Sequence, residues 1–411
     1  MKKMMTTLAL ALLSLAAFSQ ENQFYVDAQL RTRAEYNNGA LAPRVEGTKP
    51  AFYINERARI GVGYQYGILE LKAAVQHTGI WGQSDINAGL GNVAINEAWA
   101  KLKSKNGWFL QLGRQQLVYD DERILGGLDW HVSGNWHDAL KMGYESKAHK
   151  IHAIAAFNQA RANVKGGYYD GPMPYKFLGG AWYHFQADQT PFGLSLIFLD
   201  LGWEAGTAAV DAGTNHMQTL GTDITFKPSG FDFHAAAYYQ MGKNIAGTPV
   251  SAWMASAKAG YQLNRTWGMN LGYDYRSGHD GSSTSKAFDQ LFGTHHKFYG
   301  FMDYFLRTVS LGLQDVQAGV ICKASQKASL LLNYHYFATA QPAANGKKGL
   351  GHEIDLQATI SIMKNVTLMA GYSTMLGTET MDLVKGGSHK AWQDWLWIQL
   401  NINPRVFFTK W

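Results

Sequence analysis

Two Arg-x-Arg pairs stand close together near the start of the chain. Arg31 and Arg33 form the first pair, and Arg57 and Arg59 form the second. A guanidinium group can hold a carboxylate through two parallel hydrogen bonds, and rings of Arg and Lys favour anions in a pore. Two such pairs on neighbouring extended segments would place four cations on one wall. We therefore expect this wall to attract anionic solutes.

Further charged residues recur on the polar faces of later segments. The candidate cations are Lys72, Lys101, Lys141 and Arg276, and the candidate supporting acids are Asp27, Glu35 and Glu97. The alternative interpretation is that these charges pair with one another and only hydrate an aqueous interior, because structural ion-pair networks are common. For the four arginines as a group we favour a functional role, since Ser, Thr and Asn could hydrate a pore equally well.

The elements that position these residues are predicted to be β-strands. In residues 352–363 apolar and polar side chains alternate, and residues 24–35 and 396–402 show the same period of two. Many of these segments reach the 9–11 residues that a tilted membrane-spanning strand needs. Aromatic residues cluster near the strand ends, as in interfacial girdles. We therefore expect the apolar face to contact lipid and the polar face to line a lumen.

Turn spacing predicts the number of strands. Short turns fall at residues 66–67, 103–107, 146–150, 188–193, 227–230, 263–266, 325–327 and 363–365, and longer Gly-rich segments alternate with them. Eight short turns join sixteen strands, and one strand at each end gives about eighteen. The fold class is therefore an all-β transmembrane antiparallel barrel with short periplasmic turns and long extracellular loops. A barrel of this size should enclose an aqueous channel.

Composition and the N-terminus agree with export to a membrane. Of 411 residues, 46% are hydrophobic and only 17% are charged, and the mean hydropathy is −0.22. Residues 1–19 are predicted to be a cleaved secretory signal peptide, with Lys2 and Lys3 before an apolar core at 8–18. Residues 20–411 then form one domain in the outer membrane of a Gram-negative bacterium. Its net charge of +4, after loss of two lysines from +6, is too small to indicate nucleic-acid binding.

Motifs for other chemistry are weak in this sequence. The acidic run 120–122 lacks the spacing of a calcium loop, and His295 and His296 would point apart on an extended chain. Cys322 is the only cysteine, so no internal disulfide is possible. No cofactor signature occurs. We therefore expect no enzyme, no cofactor and no metal.

The stretch 113–130, GRQQLVYDDERILGGLDW, resembles the bacterial alginate export family of outer-membrane barrels. The two Arg-x-Arg segments are similar as well, as are residues 297–305 and 312–315. The resemblance implies an eighteen-stranded barrel whose Arg-rich constriction passes an anionic polysaccharide. Carried over by motif, the constriction residues would be Arg31, Arg33, Arg57, Arg59, Arg114 and Arg123, and Asp120, Asp121 and Glu122 would orient these arginines or line the loop. A monomeric state is also implied.

Taken together, these patterns predict an outer-membrane channel for passive passage of an anionic polysaccharide, an oligosaccharide or an acidic solute. A general or nutrient-uptake porin is the alternative within the same class. An outer-membrane enzyme or a closed structural barrel is the competitor from another class. The expected partners are outer-membrane lipid, the solute and the barrel-assembly machinery.

Overall fold

A computed structural model describes residues 22–83, 92–169 and 174–411. The predicted signal peptide, residues 1–19, lies outside the described residues, so its cleavage stays a prediction. The described strands form one antiparallel sheet in which each strand pairs with the next along the chain. The first strand also pairs with the last, and this closes the sheet into a barrel.

The strand bounds follow the alternating segments of the sequence. The strands are β1 Gln23–Asn38, β2 Ala51–Tyr66, β3 Leu69–Ile80, β4 Val93–Lys103, β5 Trp108–Gln115, β6 His137–Glu145, β7 His149–Phe157, β8 Phe177–Gln186, β9 Phe192–Glu204 and β10 Thr214–Phe226. They continue as β11 Phe231–Lys243, β12 Pro249–Gln262, β13 Trp267–Arg276, β14 Leu313–Cys322, β15 Ala328–Ala338, β16 Gly349–Met363, β17 Val366–Gly377, β18 Gln393–Ile402 and β19 Arg405–Lys410. One helix, α1 Glu379–Lys385, and a 3-10 turn, His295–Lys297, lie in loops.

The last two strands are halves of one barrel strand. Pro404 has no N–H to donate to a ladder, and it separates β18 from β19. Both halves nevertheless pair with β1, and Ala28 N donates to Pro404 O at 3.0 Å across the break. The barrel therefore has eighteen strands, and the predicted fold class and strand number are confirmed.

The side chains alternate across the wall as expected. Leu30 and Ile60 expose 44% and 63% of their surface on the outside, whereas Arg31 and Arg57 are buried on the inside. Exposed aromatic residues such as Trp108 lie beside the short turns. The alternation therefore assigns the outer face to lipid. None of the described helices is long and apolar enough to cross a membrane.

Two long connections fold into the lumen. Inner loop 1, residues 116–136, joins β5 to β6, and inner loop 2, residues 277–312, joins β13 to β14. The two loops bond to each other through their backbones. Gly126 N donates to Phe292 O at 3.0 Å, Phe292 N donates to Ile124 O at 3.0 Å, and Thr294 N donates to Glu122 O at 2.8 Å. The interior therefore contains a two-loop partition.

Apolar side chains pack the two inner loops onto two sections of the wall. In inner loop 1, Leu117 and Leu125 belong to a buried cluster with Leu199 of β9. In inner loop 2, Met302 and Phe305 belong to a second cluster with Phe337 of β15. The sequence predicted a polar inward face. The inward face is instead partly apolar, where the inner loops pack against it. Burial of apolar surface stabilises a loop in the lumen as it does any protein core.

Candidate functional site

Two inward arginines lie at the same level of the barrel wall. Arg31 on β1 stands directly opposite Arg57 on β2 in the strand register. Both guanidinium groups donate to carbonyl oxygens of inner loop 1. Arg31 reaches Asp129 O at 2.5 Å, and Arg57 reaches His131 O at 2.6 Å and Val132 O at 2.6 Å. Arg57 also donates to the Asp129 carboxylate at 2.6 Å.

The other two arginines of the predicted patch flank this level. Arg33 donates to Glu35 Oε1 at 2.8 Å and to Trp130 O at 3.2 Å, and it lies over the Trp130 ring at 4.1 Å. Arg59 donates to Gln76 Oε1 at 2.7 Å, and Gln76 in turn donates to Ser133 O of the loop. The structure brings all four arginines together as predicted. Three of them bond directly to the loop, and Arg59 reaches it through Gln76.

The arginines set the charge state of the loop segment that they hold. The Asp129 carboxylate is desolvated by the surrounding protein although its side chain is 74% exposed to the lumen, and Arg57 and then Arg31 outweigh this effect and hold the pKa of Asp129 below its usual value. Burial, followed by repulsion from Arg33 and Arg57, lowers the pKa of His131. The loop therefore presents an anionic Asp129 and a neutral His131 to the cationic wall at neutral pH.

Arg114 lies on the outer wall, so its expected place in the lumen is wrong. Its cross-strand neighbours are Ala98 and Asp138, and it is in phase with the exposed Leu112 and Trp108. The guanidinium pairs with both carboxylate oxygens of Asp138, at 2.8 and 2.9 Å. The outward direction of Arg114 could have been predicted from the sequence, because Trp108, Leu110 and Leu112 alternate in the same phase on β5.

Arg123 and Arg276 are inward but fully buried, and neither lines an open path. Arg123 pairs with Asp121 at 2.7 Å and with Asp274 at 2.6 Å. Arg276 lies over the Tyr299 ring at 4.2 Å, and its guanidinium nitrogens have no hydrogen-bond partner among the described residues. Both side chains therefore support the inner loops.

The three candidate lysines line the lumen on β3, β4 and β6. Lys72 pairs with Glu97 at 2.7 Å, and Lys101 lies over the Phe109 ring at 4.6 Å. Lys141 is close enough to Lys101 for charge repulsion. No carboxylate of the described residues lies within 4.0 Å of Lys101 or Lys141. We call Arg59, Lys72, Lys101 and Lys141 the basic row.

The remaining candidate acids have structural partners. Glu35 accepts from Arg33, Tyr53, Asn55 and Trp395, and Asp27 pairs with Arg405 at 2.8 Å. In inner loop 1, Asp120 accepts from Trp182 Nε1, Asp121 from Arg123, and Glu122 from Thr294 Oγ1 and Gly127 N. Of the three acids that the resemblance named, only Asp121 contacts an arginine, whereas Asp120 bonds to the wall and Glu122 bonds within the inner loops.

Two cavities lie on either side of the Arg31–Arg57 level along the strands. One of about 340 Å³ is lined by Arg33, Trp130, His296, Phe301 and Trp395. The rings of Trp130 and His296 stack at 4.0 Å, and those of His296 and Phe301 at 5.0 Å. The other, of about 560 Å³, is polar and is lined by residues that include Arg59, Lys72 and Lys364. The stack of Trp130, His296 and Phe301 was not predicted, because these residues come from different loops.

The wall is partly divided by charge. The basic row occupies β2 to β6, and most of the buried acids lie on β10 to β16, namely Asp223, Asp274, Asp315, Glu353 and Asp355. Glu35 on β1 and Glu97 on β4 are also buried, and they pair with Arg33 and Lys72. Charge is therefore distributed unevenly around the wall.

The model of the alginate export family matches residues 26–384, which is most of the chain. The chain belongs to the alginate export family. Membership agrees with the resemblance at residues 113–130. No curated protein matches the chain.

Solved structures with the same fold are bacterial porins. OccK11 (OpdR) of Pseudomonas aeruginosa superposes with a TM-score of 0.64 at 14% identity, covering 95% of this chain and 100% of its own. OpdL of P. aeruginosa gives 0.66 at 11%, with coverages of 93% and 99%. OccAB4 of Acinetobacter baumannii gives 0.62 at 11%, with coverages of 95% and 99%. At these identities the likeness shows the fold, and with the family it places this chain among outer-membrane channels.

Proposed function

We propose that this outer-membrane barrel passes acidic solutes, carboxylated oligosaccharides among them, along the basic row. The observation that carries the proposal is the pair Lys101 and Lys141, two inward cations that no described carboxylate neutralises within 4.0 Å. Cations lining a pore replace water around an anion without holding it permanently. Arg31, Arg33 and Arg57 contribute by holding inner loop 1 in place rather than by contacting the solute.

The joined inner loops limit what can pass. Their backbones bond across the lumen between Gly126 and Phe292, and this narrows the route to the side of the lumen near the basic row. A single extended sugar chain or a small acid suits such a route better than a bulky solute. The solved structure of OpdK from P. aeruginosa is a complex with vanillate, a small carboxylate, and OpdK shares the fold at a TM-score of 0.61.

The stacked rings of Trp130 and His296 suit a sugar or an aromatic acid at the entrance of the 340 Å³ cavity. An aromatic face offers apolar contact area, and the neighbouring Arg33 offers charge. We infer that a carboxylated ring is received here before it reaches the basic row. A general nutrient porin would need neither feature.

We also infer that the barrel acts as a channel rather than an enzyme. The structure does bring a Ser–His pair together that the sequence had not indicated, since His184 Nδ1 lies 2.9 Å from Ser195 Oγ. A hydrolytic triad needs an acid to orient the imidazole, and no carboxylate within the described residues forms an ion pair with His184. A monomeric state, assembly by the barrel machinery and signal-peptide cleavage are part of the same proposal.

Ion selectivity in planar bilayers tests the proposed route. The purified barrel should give a reversal potential of the anion-selective sign in a KCl gradient. The double variant K101Q/K141Q should lose most of this preference, because it removes the two unneutralised cations. The double variant K147Q/K347Q removes the same charge from exposed sites near Asp188 and Glu379 and should behave like the parent.

Three outcomes would count against the proposal. Absence of any channel current from folded protein would refute transport. A cation-selective parent would refute the anionic solute and favour a general porin. An unchanged preference in K101Q/K141Q would refute the basic row as the route.

A further inference from the structure

Three possible metal ligands from separate parts of the chain converge on the lumen wall. Asp121 belongs to inner loop 1, Asp223 to β10 and His234 to β11. One ligand atom from each residue lies within 4.8 Å of the other two. His234 Nε2 is 2.6 Å from Asp223 Oδ2 and 3.8 Å from Asp121 Oδ2. Asp223 is buried, whereas Asp121 and His234 keep some exposure to the lumen.

The spacing of these atoms is close to that of a metal site. Bonds of about 2.0–2.2 Å from Zn²⁺ to nitrogen or oxygen place neighbouring tetrahedral ligand atoms about 3.3 Å apart. The observed 2.6 and 3.8 Å lie on either side of that value, so small side-chain rotations would be sufficient. Asp223 and His234 lie on paired strands whose register is fixed. Only Asp121 comes from a loop.

Asp121 is oriented by a neighbour in the way that metal-binding carboxylates are. Arg123 Nε donates to Asp121 Oδ2 at 2.7 Å, and the Arg123 backbone N–H donates to Oδ1 at 3.1 Å. Such outer partners fix the direction of a ligand and are a regular part of metal sites. Arg123 itself is held by Asp274 at 2.6 Å.

The local charge leaves room for a divalent cation. Five carboxylates are in electrostatic contact here, and three arginine and lysine side chains lie among them: the acids are Asp120, Asp121, Asp223, Asp274 and Asp315, and the cations are Arg123, Lys258 and Arg276. The carboxylates therefore outnumber these cations. A bound divalent cation would add positive charge where burial of unpaired charge is costly.

We propose that Asp121, Asp223 and His234 bind one borderline divalent cation of the Zn²⁺ or Mn²⁺ type. One imidazole nitrogen with two carboxylates suits such an ion, whereas Mg²⁺ and Ca²⁺ prefer oxygen ligands throughout. The cation would join inner loop 1 to β10 and β11, on the wall opposite the arginines. It would therefore fix the loop from its second side.

Metal titration of the full-length barrel tests the site. Protein purified in detergent and stripped with EDTA is titrated with Zn²⁺, with Mn²⁺ and, for comparison, with Ca²⁺, and bound metal is measured by calorimetry and elemental analysis. One equivalent of Zn²⁺ or Mn²⁺ should bind, with Ca²⁺ at least about 10-fold weaker. H234A and D223N should each weaken binding by at least about 10-fold. Heat-modifiable migration in SDS gels verifies that each variant is folded.

The matched control is another His–Asp pair that lacks a third ligand. His216 Nδ1 lies 2.8 Å from Asp200 Oδ2 on the outer wall, so H216A should bind metal like the parent. Failure of the parent to bind one equivalent would overturn the proposal. Equal binding by folded H234A, D223N and parent protein would overturn it too, since the ion would then be elsewhere.

Discussion

Arg31 and Arg57 face each other across β1 and β2, and both donate to the backbone carbonyl of Asp129, at 2.5 and 3.0 Å. Like charges directly opposite in a sheet repel each other. Here the loop carbonyls and the Asp129 carboxylate supply the compensating negative charge. The pair is therefore a clamp for inner loop 1, and a solute would have to displace the loop in order to use it.

Loss of one side of this clamp should loosen inner loop 1. In R57Q the Val132 carbonyl loses its donor and the His131 carbonyl keeps only its bond from Arg31, and loss of a hydrogen bond to a charged group costs about 1.5–3 kcal/mol. We expect a lower urea midpoint of unfolding and a larger, noisier single-channel conductance. In R57K the side chain keeps its positive charge but loses the planar guanidinium, so its urea midpoint and conductance should lie between those of R57Q and the parent.

K227Q provides the control for this experiment. It removes the exposed pair with Asp232, and exposed pairs contribute less than about 1 kcal/mol. Its conductance and urea midpoint should stay near those of the parent. An unchanged conductance in R57Q would show that the clamp does not hold the loop.

Substitution of Arg114 should leave ion selectivity unchanged. The side chain pairs with Asp138 on the outer wall and does not face the lumen. R114Q measured in the same KCl gradient as K101Q/K141Q should give the reversal potential of the parent. A shift as large as that of K101Q/K141Q would return Arg114 to the solute path and contradict the observed face of β5.

The sequence was sufficient for the barrel because alternation is a local property. Each strand shows its two faces in consecutive residues, so the lipid face and the number of strands follow from β1 to β18 without tertiary information. Arg114 could also have been assigned correctly from Leu110 and Leu112, but the family motif outweighed the alternation. Pro404 interrupts the last strand, because proline has no N–H for the ladder.

The inner loops could not be predicted in the same way. Nothing in the sequence around Arg57 indicates that its partners are backbone carbonyls 72 to 75 residues later in the chain, because backbone acceptors are identical at every residue. The convergence of Asp121, Asp223 and His234 could not be predicted for a related reason. Asp223 and His234 stand on different strands, and their meeting with Asp121 depends on the path of inner loop 1.

Acid should destabilise the barrel through His295 in inner loop 2. Burial lowers the pKa of His295 to about 4, and its Nε2–H donates to Gln290 O at 3.0 Å. The unfolded chain titrates near 6.5 and binds the proton first. Stability is therefore fully present above pH 6.5 and is lost as the pH falls towards 4, by up to about 3 kcal/mol.

Urea midpoints at pH 7, 6, 5 and 4 measure this effect. H295Q can still donate to Gln290 O but cannot titrate, so its midpoint should fall less between pH 6.5 and 4 than that of the parent. H352Q is a suitable control, because His352 lies on the outer face of β16 beside Tyr334. Identical pH profiles for H295Q and the parent would exclude His295 as the source of acid sensitivity.

The last prediction concerns two carboxyl groups that hold inner loop 2. Glu353 Oε1 accepts from Met302 N at 2.8 Å and Asp355 Oδ2 from Phe301 N at 3.3 Å, and both side chains are fully buried on one face of β16. E353Q keeps an acceptor for Met302 and carries no negative charge beside Asp355 at any pH. We expect its urea midpoint at pH 7 to equal or exceed that of the parent. E353A leaves Met302 N–H without a partner and should lose about 1–3 kcal/mol. If E353Q were as unstable as E353A, the charge of Glu353 rather than its acceptor oxygen would be what holds the loop.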